Sequence, residues 1–167
     1  MSHLWAVGFD DVARADQVRA DLLDLEASKL FLIEDLVVVV RQPDGTLQLR
    51  HGIHPNAEAI ARGSIVGFVV GLLLLQPLTG AGLGALAGSA VAVLHGAGID
   101  RAFISEAEAA LRPGTSAVFL LDRSEDLAGL LPRLRGLGGQ VLRTTVDEER
   151  LKQVQAALNA PPAASAQ

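Results

Sequence analysis

From Gly63 to Ile99 the chain runs for 37 residues without one Asp, Glu, Lys or Arg. Nothing else in the sequence restricts the fold as much. The first leg reads Gly63 to Leu75, and the second reads Ala81 to Leu94. Gln76-Pro77-Leu78-Thr79-Gly80 breaks the run between them, because proline cannot continue a hydrogen-bonded helix. Glycine recurs at Gly63, Gly67 and Gly71, then at Gly80, Gly84 and Gly88, with Ala92 and Gly96 continuing the register. A spacing of four places these small residues on one helical face. Each glycine inside a helix costs about 0.5–1 kcal/mol relative to alanine. Close approach of two backbones offsets that cost through dispersion and Cα–H···O contacts. The pattern predicts a helical hairpin whose packing residues are Gly63, Gly67, Gly71, Gly80, Gly84 and Gly88. They face each other or another subunit, with Leu72 to Leu75 turned to lipid or to neighbours.

An ordinary hairpin in water is amphipathic and wears its charges outside. One that is apolar all round belongs in lipid, in the core of an oligomer, or in a domain core. A full membrane span needs about 20 apolar residues. The first leg has 13 such residues, Gly63 to Leu75; extended back to Ala57 it reaches roughly 28 Å at about 1.5 Å per residue. That length fits a thinned bilayer or a re-entrant hairpin. Arg62 and Arg101 flank the two entry points, and positive flanks favour the cytoplasmic side. Met1 to Phe9 runs into Asp10-Asp11 rather than into a secretory signal. The expected location is therefore a bacterial inner membrane with the α/β part cytoplasmic, the alternative being a soluble cytoplasmic assembly. Bacterial origin is read from the arginine bias: Lys29 and Lys152 are the only lysines in an Ala-, Gly- and Leu-rich chain.

The flanking segments carry the grammar of a small α+β domain. Leu4 to Phe9 reads as a buried strand, and Asp10-Asp11 as a cap for a helix from Val12 to Ala27 with Ala15, Val18, Leu22 and Leu25 on one stripe. Four consecutive valines, Val37 to Val40, predict a strand buried on both faces or central in a sheet. Pro43-Asp44-Gly45 predicts a turn into a returning strand, Thr46 to Arg50. After the apolar segment, Ala117 to Leu121 reads as a strand and Asp122 to Glu125 as caps for a helix of about 12 residues that carries Leu127, Leu130, Leu131 and Leu134, with Pro132 within it and Gly138-Gly139 ending it. Gln140 to Val146 reads as a further strand, and Asp147 opens a final helix with Leu151, Val154 and Leu158 on one face. The expectation is a ferredoxin-like α+β sandwich of two βαβ halves with the apolar glycine-zipper hairpin inserted between them. Residues 1–54 form the first half with its hairpin strand, 55–112 the insertion, 113–158 the second half and terminal helix, and 159–167 a disordered tail.

The opening strand Leu4 to Asp10 with its helix, the Asp35 to Val40 strand, and the zipper hairpin between two α/β halves resemble a bacterial family of uncharacterised predicted membrane proteins, a domain of unknown function. The resemblance covers roughly residues 3–158. It implies membrane association and self-association, and it implies no chemistry.

Composition closes off several kinds of chemistry. The chain of 167 residues has no cysteine, so thiolate zinc sites, iron–sulfur centres and cysteine nucleophiles are excluded. Its net charge of −5 gives no electrostatic case for nucleic acid. His51 and His54, with Glu58 one turn on, make the closest approach to a metal-ligand set but fall short of a complete site. No metal or cofactor is expected. His95 stands alone in the apolar second leg and is the candidate polar lining or proton-responsive group. Asp10-Asp11 and Asp147-Glu148-Glu149 sit where helices begin, so dipole complementarity accounts for them. Arg133, Arg135 and Arg143 form a basic edge suited to anionic headgroups or simply to solvent. No phosphate loop or nucleophile elbow occurs. The sequence thus predicts a non-enzymatic, membrane-associated protein that assembles with itself. The alternatives are a soluble homo-oligomer with the hairpin as its core, and a small-ligand sensor tethered by the hairpin.

Overall fold

The computed structural model describes residues 3–29, 32–51, 106–107, 109–123, 127–142 and 146–162. In chain order these form β1 (His3–Phe9), α1 (Arg14–Ala27), β2 (Ile33–Arg41), β3 (Leu47–His51), β4 (Thr115–Asp122), α2 (Leu127–Leu134), β5 (Gln140–Val141) and α3 (Glu148–Asn159). Residues 106, 107, 109 and 110 are helical as well. The class is α+β. The strands make one antiparallel sheet in the order β3-β2-β4-β1-β5. Both β1 and β2 run antiparallel to β4, which separates them, so they are parallel to each other. By the same logic β4 and β5 are parallel across β1.

The valine run explains why β2 is central. Alternation along a strand sends successive side chains to opposite faces. Val38 and Val40 join Trp5, Phe9, Val118 and Leu120 on the first face, which α1 and α3 cover with Val18, Leu22, Val154 and Leu158. Val37 and Val39 join Leu4, Ala6, Ala117 and Phe119 on the second face, against Ala107 and Leu111. All four valines are at most 1% exposed. Complete burial of a valine contributes about 1.5–3 kcal/mol, so this run alone is a large share of a domain's marginal stability.

α1 begins at Arg14, two residues later than the apolar pattern predicts, because Asp11 holds the chain ahead of it. Asp11 Oδ1 accepts from Ala13 N at 2.7 Å and Arg14 N at 3.0 Å. The predicted stripe Ala15, Val18, Leu22 and Leu25 is buried. Asp147 caps α3 as its position predicts, accepting from Arg150 N at 2.9 Å. α2 carries Pro132 within its eight residues. β5 is shorter than the expected Gln140 to Val146. Its ladder with β1 spans Gln140 and Val141, with Leu142 N still donating to Ala6 O at 2.8 Å, and residues 143–145 lie outside the described set. The turn after β2 forms as predicted, with Gln42 N donating to Thr46 O and Gly45 N to Gln42 O, both at 2.8 Å.

Candidate functional site

The residues on which the sequence places assembly and membrane contact all lie outside the described residues. These are Gly63, Gly67, Gly71, Gly80, Gly84, Gly88, the flanking Arg62 and Arg101, and His95. His54, Glu58 and Arg143 are outside as well, and His51 is described as the last residue of β3. Among the described residues no group of three or more His, Asp or Glu is placed to hold a metal, and no helix is long and apolar enough to cross a membrane.

A concavity among the described residues lies at the end of the sheet where β1 finishes and β5 starts. It is an open cleft of about 1000 Å³. One wall is the β1–α1 loop with Asp10, Asp11 and Arg14; another is the helical stretch carrying Glu106, Ala109 and Ala110, followed by Arg112. The rim from Leu137 to Leu142 and the end of α3, with Gln155 and Asn159, complete it.

Local chemistry builds this rim. Gly136, Gly138 and Gly139 all adopt positive φ, so the chain turns sharply after α2 and directs carbonyls into space that needs donors. Arg14 supplies them. Its Nε and Nη2 donate to Leu137 O at 3.0 and 2.8 Å, and Nη2 also donates to Gly136 O at 3.0 Å. Gly138 N in turn donates to Leu158 O at 3.0 Å, tying the rim to α3. Gly8 lets the helical stretch come close on the opposite face, since a Cβ there would lie 3.3 Å from Ala110 Cβ.

The cleft carries charge of both signs. Asp10, Asp11 and Glu106 bring carboxylates, while Arg14 and Arg112 bring guanidinium groups. Arg112 Nη2 and Asp10 Oδ1 are 3.5 Å apart on side chains that are 70% and 95% exposed, so solvent screens the pair and it is worth little. A ligand can take over either partner at small expense. The described lining offers carboxylates, guanidiniums and amides, with no Ser, Cys, His or Lys to act as a nucleophile. That donor set is suited to recognition of a small polar molecule.

Two clusters singled out from sequence resolve into structural roles. Asp11 accepts from the amides of Ala13 and Arg14 just ahead of α1, whose N-cap residue is Ala13, and Asp147 is the side-chain cap of α3. Arg135 Nε donates to Pro161 O at 3.1 Å, so one of the basic-edge residues ties down the chain after α3. Nothing in the local sequence pattern singles out Arg14 or Gln155. The density of glycines from 136 to 139 was the signal, because such a segment leaves carbonyls that distant donors must satisfy.

A family model described as Protein of unknown function (DUF1269) matches residues 60–159. The chain belongs to this family. The DUF1269 match takes in Gly63 to Ile99, β4, α2, β5 and α3, and it begins after β1, α1, β2 and β3. The opening strand and the Asp35 to Val40 strand, on which the resemblance partly rests, therefore lie outside it. No curated protein and no solved structure matches the chain.

Proposed function

We propose that this DUF1269 protein is a non-enzymatic, membrane-associated protein that assembles with itself through the glycine faces of a helical hairpin. The observation that carries the reading is the charge-free run Gly63 to Ile99, with glycine spaced by four through Gly63, Gly67 and Gly71 and again through Gly80, Gly84 and Gly88. Its attachment to the domain supports it further. The run is entered after β3 and left before β4, and both strands pair with β2 in the same sheet. The chain leaves β3 opposite Val37 and enters β4 opposite Arg41, at different points along β2, so both attachments belong to one domain, as a segment that enters and leaves a bilayer from one side requires. Arg62 and Arg101 then sit at the headgroup level of the inner membrane, with the α+β domain on the cytoplasmic side. Setting β3 aside, the strand order β5-β1-β4-β2 with its two helical crossovers supports a ferredoxin-like sandwich carrying the hairpin as an insertion.

Fractionation of untagged protein tests this. Protein that resists a carbonate wash and needs detergent, and whose oligomer falls apart in Gly84→Leu or Gly67→Leu while the α+β domain stays folded, is the expected result. Protein that stays soluble as one discrete particle without detergent overturns the membrane reading and makes the hairpin the core of a soluble assembly. An unchanged oligomer mass in both glycine variants overturns the zipper.

The cleft favours a second reading, in which the α+β domain senses a small polar ligand and the hairpin holds it in place. The weak Asp10–Arg112 pair at its mouth is the supporting feature. A ligand present at about 100 times its Kd adds about 2.7 kcal/mol to stability, so a metabolite panel read by thermal shift detects it. A panel of zwitterionic and dianionic metabolites without any shift counts against this reading.

A further inference from the structure

We propose that the outer edge of β3 is a self-pairing surface, to which a second copy of this chain adds its own β3 in antiparallel register about a two-fold axis at Leu49. The proposal rests on the self-assembly argued above and adds a contact outside the hairpin. The two edges of the sheet differ. At β5 the edge is occupied: Gln155 Oε1 accepts from Val141 N at 2.7 Å and its Nε2 donates to Gly139 O at 3.0 Å. At β3 the side chains of Gln48, Leu49 and Arg50 are exposed, and Leu49, at 38%, is one of the two large hydrophobic residues exposed among the described residues.

The hydrogen bonds of the turn set which backbone groups face outward. Gln42 N donates to Thr46 O, and Gly114 N donates to Arg41 O from the other side of β2. Alternation along an antiparallel pair then directs the amides and carbonyls of Gln48 and Arg50 to β2, and those of Leu47, Leu49 and His51 away from it. Natural edges are blunted by lysine, proline, bulges or inward charges. β3, Leu47-Gln48-Leu49-Arg50-His51, has no lysine or proline. Its one formal charge, Arg50, forms an ion pair with Asp16 of α1, which draws it over the first face of the sheet.

The strand is complementary to itself. An axis at Leu49 is the centre that pairs all five residues, Leu47 with His51 of the partner copy and Gln48 with Arg50. Each pair that exchanges backbone bonds is then one whose groups face outward. The two Leu49 side chains meet on the second face, extending the apolar row begun by Val39. No like charges oppose one another. Five paired residues bury less than the roughly 1,000 Å² that a stable interface needs alone. The contact forms where another attachment already raises the local concentration of copies.

The absence of native cysteine makes the test direct. Opposed residues of a hydrogen-bonded antiparallel pair have Cα atoms about 5.5 Å apart, within disulfide range. Full-length Leu49→Cys protein, in membranes or in its soluble assembly, is oxidised mildly beside Gln153→Cys on the exposed face of α3. Leu49→Cys is expected to form a covalent dimer on the order of tenfold faster or more, the gain from thiols held in register. A mixture of Gln48→Cys and Arg50→Cys copies is expected to cross-link between the two types faster than within either. Equal rates at positions 49 and 153 overturn the proposal. Cross-linking at 49 with an unchanged oligomer mass in Gly84→Leu supports the edge and removes the zipper; loss of the oligomer in Gly84→Leu without cross-linking at 49 does the reverse.

Discussion

The side chain of Gln155 does for Val141 what a neighbouring strand does. Its Oε1 accepts from Val141 N at 2.7 Å, and its Nε2 donates to Gly139 O at 3.0 Å. A carboxamide carries an acceptor and a donor on one planar group, so it can satisfy two ladder positions at once. The edge at β5 thereby has its Val141 amide and the neighbouring Gly139 carbonyl bonded. Gln155→Leu preserves volume and leaves both backbone groups unpaired, a loss of about 1–3 kcal/mol. Gln155→Glu keeps the acceptor for Val141 N but sets a carboxylate against the Gly139 carbonyl. Urea unfolding and exchange of the Val141 amide should rank the variants with the parent first. A Leu variant that matches the parent in both measurements removes the sealing role.

Gly139 and Gly138 separate backbone strain from lack of room. Both have positive φ, +94° and +70°. A Cβ on Gly139 would lie 2.5 Å from Phe9 Cε1 and 2.7 Å from Val7 Cγ1, while nothing lies within 4 Å of one on Gly138. Gly138→Ala therefore pays only for the left-handed backbone, about 1–2 kcal/mol. Gly139→Ala adds a clash that the first-face core must relieve, and overpacking of this kind costs about 1–3 kcal/mol more. Thermal melts of the two alanine variants should differ by several degrees, with Gly139→Ala the lower. Coincident melts show that the rim moves aside freely.

Strands and helix stripes were legible in the sequence wherever one residue type decided burial. Val37 to Val40 announced a central strand, and Ala15, Val18, Leu22 and Leu25 announced the buried side of α1. Both signals are periodic and local. The cleft was not legible, because it depends on contacts over long sequence distances. Arg14 reaches carbonyls more than 120 residues away, and no spacing rule connects it to Leu137. The shortness of β5 was hidden for a similar reason: Gln140 to Val146 has strand-like composition, and Gln155, which closes the edge, belongs to a helix further along. What the sequence stated most strongly, the glycine register from Gly63 to Gly88, lies outside the described residues, so the candidate assembly site rests on its pattern alone.

Arg14 positions the rim of the cleft through geometry that lysine cannot reproduce. Its fork places three hydrogen bonds on the carbonyls of Leu137 and Gly136. An ammonium is a point charge with no fixed fork. Arg14→Lys should retain the charge and lose most of the bonding, and Arg14→Met should lose both, leaving carbonyls short of donors at about 1–3 kcal/mol. The variants should also raise amide exchange between Leu137 and Gln140 ahead of any effect on β2. Exchange that rises equally in β2 and the rim indicates global destabilisation and refutes a local positioning role.

Asp44 gives the β2–β3 turn a pH dependence. The backbone amide of Thr46 donates to its Oδ1 at 2.8 Å, and this bond, followed by one from the Thr46 side chain, holds the carboxyl below its ordinary value of 3.8. A carboxyl with a depressed pKa in the folded state stabilises the fold fully above its unfolded value. That contribution falls away as pH drops below about 3.8 and through the lower folded value, because the unfolded chain takes up the proton first. Asp44 is fully exposed, so the effect is local to the turn. The Thr46 amide resonance should shift, and its protection relative to the intrinsic exchange rate should fall, as pH drops below 3.8. In Asp44→Asn, which keeps an acceptor that does not titrate, that step should vanish while β2 stays paired with β4. A Thr46 titration that persists unchanged in Asp44→Asn assigns the step to another group.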